Sequence, residues 1–164
     1  MKHIINVVFA SMLAMFALPA LALTNGEAGP AFELPGDGSV VKLSGLKGKV
    51  VYVDFWASWC GPCKQSFPWL NEMQSKYGAK GFQVVGINVD ANTADAKAFL
   101  AGLPAKFVVA YDERAVTPKA YGIKGMPSSV LLDGNGKVIL QHSGFRDSDR
   151  AELEKSIQQA LTSK

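Results

Sequence analysis

Only two cysteines occur in this 164-residue chain, and they stand three positions apart in Trp59-Cys60-Gly61-Pro62-Cys63-Lys64. At the start of a helix, positions i and i+3 lie on one face within bonding reach. Such a pair can close into a disulfide and reopen with little backbone movement. A thiol at a helix N-terminus also faces unpaired backbone N–H groups and the positive end of the helix dipole, which favour thiolate over thiol. Pro62 suits a first helical turn, where its missing N–H costs nothing. These residue types at this spacing point to thiol–disulfide exchange, with Cys60 as the nucleophile and Cys63 as the buried thiol that resolves.

Two other uses of a close cysteine pair fit less well. A structural zinc ion needs four ligands, and beyond residue 22 only His142 could join the two sulfurs, so no metal site is expected. A purely structural disulfide across a four-residue loop would contribute only about 2 kcal/mol by loop entropy.

The elements that must position the pair follow from the pattern on either side. Val50 to Trp56 is a continuous β-branched and aromatic run that reads as a central strand buried on both faces, and it feeds straight into the cysteine motif. After Cys63, apolar residues at Phe67, Leu70, Met73 and Tyr77 mark one stripe of a helix ending at Gly78, with Pro68 expected to kink it. Phe82–Val89 and Phe107–Ala110 read as further strands, with helical segments at Thr93–Ala101 and Ala115–Tyr121. Ser129–Leu132 and Val138–Gln141 flank a hairpin turn at Asp133-Gly134-Asn135-Gly136-Lys137. Asp149 and Glu152 fit a capping box for a last helix that buries Leu153, Ile157, Ala160 and Leu161. Strands alternating with helices, then a terminal hairpin and helix, give an α/β sandwich on a mixed sheet. In open α/β sheets the hand-over from central strand to helix is where ligands sit.

Ahead of this domain, the N-terminus follows a different rule. Met1-Lys2-His3 is a short basic head, Ile4–Leu18 is a nearly unbroken apolar run, and Pro19-Ala20-Leu21-Ala22 ends in a small-x-small pattern. That is the layout of a secretory signal peptide over 1–22, cleaved after Ala22; uncleaved, it would be a membrane anchor. Residues 23–31 read as a flexible lead-in, and 32–164 as one domain, with short strand-like pieces at Phe32–Leu34 and Val40–Leu43. Removing Lys2 leaves 16 basic and 14 acidic residues, a charge of +2, with no basic block, so nucleic-acid binding gets no support. In an oxidising exterior two thiols are normally locked together, so a reactive pair there must donate disulfides or be re-reduced from elsewhere.

Two stretches carry a family resemblance. Val53-Asp54-Phe55-Trp56-Ala57-Ser58-Trp59-Cys60-Gly61-Pro62-Cys63-Lys64 resembles the active-site segment of thioredoxins, and Tyr121-Gly122-Ile123-Lys124-Gly125-Met126-Pro127-Ser128 resembles the segment that holds a proline opposite the cysteines. The extra length between Asp90 and Tyr121 is similar to the central helix–strand insertion of exported TlpA/ResA-type, AhpC/TSA-related thiol-disulfide oxidoreductases. The resemblance implies a thioredoxin-like three-layer sandwich, with helices on both faces of a mixed central sheet. It makes Cys60 the attacking thiolate, Cys63 the resolving thiol and Pro127 a cis proline. The backbone of Met126 would then be open to an extended substrate, with Trp59, Gly61 and Pro62 completing the substrate surface.

Asp54 is the expected proton acceptor for Cys63: an acid in an apolar strand is costly to ionise, so its pKa should be raised. Two positions depart from the relatives. Gly86 falls where many thioredoxins place a lysine near that aspartate, and Ser66 where the TlpA/ResA branch commonly carries a glutamate. The Gly61-Pro62 pair is that of reducing thioredoxins, near about −270 mV against about −120 mV for a DsbA-type oxidant. The implied enzyme is a monomeric reductase of protein disulfides in the periplasm, with no cofactor beyond the Cys60–Cys63 disulfide. A membrane thiol transporter of the DsbD/CcdA kind would supply its electrons. Apocytochrome c, a copper-site assembly factor and general disulfide repair all fit as its substrates. The alternatives are a disulfide-donating oxidase and a thiol-based copper chaperone. A thiol peroxidase is disfavoured because Ala57 stands where that chemistry typically wants a hydroxyl.

Overall fold

A strand of seven buried residues needs cover on both sides, and Val50–Trp56 accordingly takes the centre of the sheet. The structure, a computed structural model, describes residues 23–163. The expected signal peptide over 1–22 lies outside the described residues. In chain order the elements are β1 (Glu33–Pro35), β2 (Val40–Lys42), β3 (Val50–Trp56), α1 (Gly61–Tyr77), β4 (Phe82–Asn88), α2 (Thr93–Gly102), β5 (Val108–Tyr111), α3 (Val116–Ala120), β6 (Ser128–Leu132), β7 (Val138–Ser143) and α4 (Arg150–Thr162). Five strands form one mixed sheet in the order β5-β4-β3-β6-β7. The first three run parallel, and β6 and β7 are antiparallel to their neighbours. The insertion expected between Asp90 and Tyr121 is α2 and β5, which extend the sheet beyond β4.

Alternation along β3 sorts the core into two layers. Val50, Tyr52 and Trp56 face the layer filled by α1, α2 and α4, where Phe67, Leu70, Ala96, Leu153 and Ile157 pack. Val51, Val53 and Phe55 face the opposite way, onto Phe32, Tyr121 and Val130, with Leu34, Val41, Leu43 and Leu46 at the margin. Helices therefore cover the two faces unequally: three on the first, and on the second the short α3 with the β1–β2 hairpin and a 3-10 turn at Leu43–Leu46.

Three local features differ from expectation. The lead-in is not free. Gly26 N–H donates to Val138 O, Val138 N–H to Glu27 O and Gly29 N–H to Gly136 O, each at 2.8 Å, so this stretch runs as a strap along β7. The first helix ends at Tyr77, but the expected helix-ending Gly78 keeps a right-handed helical conformation. The left-handed residue is Gly81, φ 88°, after one further 3-10 turn. Finally, Asp149 makes no side-chain cap to α4. Its Oδ2 turns back to accept from Arg146 N–H at 2.9 Å, closing the 3-10 turn that precedes the helix.

Candidate active site

The turn from β3 into α1 places the cysteines where their types demanded. Cys60 has extended backbone angles and is the N-cap of α1, with Gly61 and Pro62 in its first turn. A disulfide joins Cys60 to Cys63, with their Cα atoms 5.3 Å apart. The Cys60 Sγ accepts the Cys63 backbone N–H at 3.2 Å. That bond is the local form of the helix-terminus effect: an otherwise unpaired N–H points at the sulfur, where it stabilises negative charge. Cys63 is fully buried, and Cys60 keeps a narrow opening of 3%.

The expected surface residues differ in exposure. Gly61 and Pro62 are exposed, and the Trp59 indole is 72% exposed, an unusual cost for a large apolar ring. The Met126–Pro127 peptide is cis. Met126 is partly buried against the apolar cluster containing both cysteines, and Pro127 is buried. Trp56 is fully buried, edge-on to Phe67 with ring centroids 4.9 Å apart, so it is core.

Asp54 shares the face of Tyr52 and Trp56, on the side of the sheet that α1 covers. It is 3% exposed, and its Oδ2 has no hydrogen-bond partner. Burial pushes its carboxyl well above the usual carboxylate range. Gly86 lies directly opposite on β4, where the sequence comparison set it. A Cβ there would meet Phe107 Cε2 at 2.8 Å and Trp56 Nε1 at 3.2 Å, so aromatic rings occupy the space of any side chain. Ser66 is buried, and its Oγ donates to the Cys63 carbonyl at 3.1 Å, tying the side chain into its own helix.

One functional residue escaped the sequence reading. Asp90 is 3% exposed, and its carboxylate accepts from Ser58 N–H at 2.9 Å, Ser58 Oγ at 3.1 Å and Asn88 Nδ2 at 2.8 Å. It thereby fixes the backbone immediately before Trp59 and Cys60. The available signal was the polar pair Asn88 and Asp90 at the end of an apolar strand, which demands local partners.

A family model described as Redoxin matches residues 24–157. The chain belongs to the Redoxin family. Among curated relatives of this Redoxin, the thiol-disulfide oxidoreductase ResA of Bacillus thuringiensis subsp. konkukian is 34% identical over 128 residues, covering 77% of this chain and 74% of the relative. The solved structure of a candidate thiol:disulfide interchange protein DsbE from Chlorobium tepidum is 61% identical, with a TM-score of 0.84. It covers 85% of this chain and 99% of its own. The thioredoxin domain of a Bacteroides vulgatus thiol-disulfide oxidoreductase superposes with a TM-score of 0.74 at 28% identity, over 83% of this chain and 99% of that one. The ResA-type thioredoxin fold and thiol-disulfide oxidoreductase activity expected from the two motifs are thus those of the family.

Proposed function

We propose that this Redoxin reduces disulfides in exported proteins, acting as a monomer in the periplasm after loss of residues 1–22. The observation that carries this reading is Cys60 at the α1 N-cap with the Cys63 N–H on its sulfur, beside an exposed Trp59. In the forward direction the Cys60 thiolate attacks one sulfur of a substrate disulfide, and the other sulfur leaves as a thiolate that takes a proton from solvent. Cys63 then gives its proton to Asp54 and attacks Cys60. The Cys60–Cys63 bond forms, the mixed disulfide breaks, and the second substrate sulfur leaves with its electron pair. The substrate gains two electrons and the enzyme loses them. A membrane dithiol donor of the DsbD/CcdA type would restore the thiols.

The Gly61-Pro62 pair favours reduction over disulfide donation. Cys63→Ser, produced in the exported compartment, is expected to accumulate mixed disulfides through Cys60, and the captured partners name the substrates. Equal capture by Cys60→Ser would overturn the nucleophile assignment. A potential above about −180 mV in a redox titration would overturn the reducing direction.

A further inference from the structure

Strand register lays a row of polar side chains across the face of the sheet that α1 and α4 cover. Asp54 on β3 is paired with Ser129 on β6, and Ser129 with His142 on β7. Residues directly opposite on antiparallel neighbours share a face, with Cβ atoms about 4.5–5.5 Å apart. Ser129 Oγ shares a 2.7 Å hydrogen bond with the Tyr52 hydroxyl, and both residues are buried. His142 Nε2 is buried without a hydrogen-bond partner, 3.3 Å from Asp149 Oδ2, while the rest of the side chain is partly exposed. The same histidine lines an open groove of about 410 Å³ together with Met126 and Pro127. One end of the row is therefore a buried acid with an unpartnered oxygen, and the other meets solvent beside the expected substrate strand. In the opposite direction the row stops at Gly86, where Phe107 and Trp56 fill the space.

Asp54 must be ionised before it can take the Cys63 proton, and its side chain is itself closed off from water. We propose that Ser129 and His142 carry the carboxyl proton between Asp54 and the groove, with Tyr52 holding the Ser129 hydroxyl and Asp149 holding His142. The inference rests on Asp54 being the proton acceptor for Cys63. The Asp54 carboxylic acid gives its proton to Ser129 Oγ, and Ser129 passes its own to neutral His142. The imidazolium then releases one to solvent, so no charge remains on the hydroxyl. Burial raises the Tyr52 phenol, and Asp54 and Asp149 raise it further, so it stays protonated as a hydrogen-bond partner. Burial acts to raise Asp149, but the Ser148 hydroxyl, the Arg146 N–H and His142 together hold it below the usual carboxylate range, which suits a carboxylate steadying an imidazolium. Arg150, at the start of α4, has its guanidinium 5.8 Å from the centre of the Phe145 ring and pairs with Asp147 at 2.9 Å.

The test mixes reduced protein with excess nitrobenzoate disulfide, whose released thiolate is coloured. A first burst reports Cys60 attack and serves as the internal reference; a second reports closure by Cys63. His142→Gln and Ser129→Ala are each expected to slow the second phase about tenfold relative to the first at neutral pH. Imidazole in the buffer should restore His142→Gln, and neither change should add to the slowing by Asp54→Asn. If Asp54→Asn slows closure while His142→Gln leaves its rate and pH profile unchanged, the relay is overturned and the acceptor stands. If Asp54→Asn leaves closure unchanged, the acceptor and the relay fall together. Slowing by His142→Gln that adds to Asp54→Asn and resists imidazole would also overturn the relay. Should Ser129→Ala not fold, the partly exposed His142 decides alone.

Discussion

Asp54 and Asp90 flank the cysteine turn, each 3% exposed, and their surroundings treat them in opposite ways. Asp90 sits among donors: a backbone N–H, a hydroxyl and an amide all point at its carboxylate. Asp54 shares its strand face with Tyr52 and Trp56, and no donor reaches its Oδ2. Equal burial thus goes with a fully bonded carboxylate in one place and a carboxyl held well above the usual range in the other. The number of fixed donors, rather than depth, separates the two, because only donors replace the water that a carboxylate loses.

The comparison breaks most visibly at Asp90. Asp90→Ala leaves three donors without their acceptor and is expected to lower stability by roughly 3–5 kcal/mol in denaturant titration. Asp54→Asn should move the other way at neutral pH. A folded pKa raised above the unfolded value contributes stability that is fully present below about pH 4 and is lost as pH rises toward the folded pKa. The native protein should therefore weaken by up to about 1.4 kcal/mol per pH unit through that window, and Asp54→Asn should not. Melting curves from pH 4 to 8 give the slope; parallel curves would remove Asp54 from the buried-acid role.

Gly86→Ala asks whether the site could accept even the first atom of a side chain beside Asp54. The 2.8 Å approach to Phe107 predicts a loss of about 1–3 kcal/mol, measurable by thermal unfolding. The smallest stability effect belongs to Trp59→Ala, within about 0.5 kcal/mol for so exposed a ring. Exchange with a protein disulfide should nevertheless fall several-fold in that variant, because the Asp90 clamp aims the turn that presents the indole.

The legible parts were those whose pattern answers to burial. The apolar run of β3, the stripe of α1 and the hairpin at Asp133–Lys137 each follow from one local period, and Cys60 at the helix start follows from its neighbours. Gly86 opposite Asp54 was also readable, because it falls at the position where many thioredoxins carry a lysine near that aspartate. What escaped depends on pairing between distant strands or on backbone atoms alone. The strap at Gly26–Gly29 is held by backbone hydrogen bonds, which polar and small residues make as well as any, so its composition read as loose. The row through Ser129 and His142 needed the β6–β7 register, and the shift at Leu131/Leu132 blocks simple counting back from the turn. Asp149 read as a cap for α4 because its spacing to Glu152 fits, but the Arg146 N–H lay nearer to hand.

The strap and the β1–β2 hairpin have a joint effect on solubility. One lies along the outer side of β7, and the other bridges from Gly36 to Ala110 on β5, so a single N-terminal segment shields both margins of the sheet. Unpaired strand margins recruit other chains. Trimming the chain to about residue 45 would uncover two such margins at once, turning a thiol-disulfide oxidoreductase into a protein that sticks to itself.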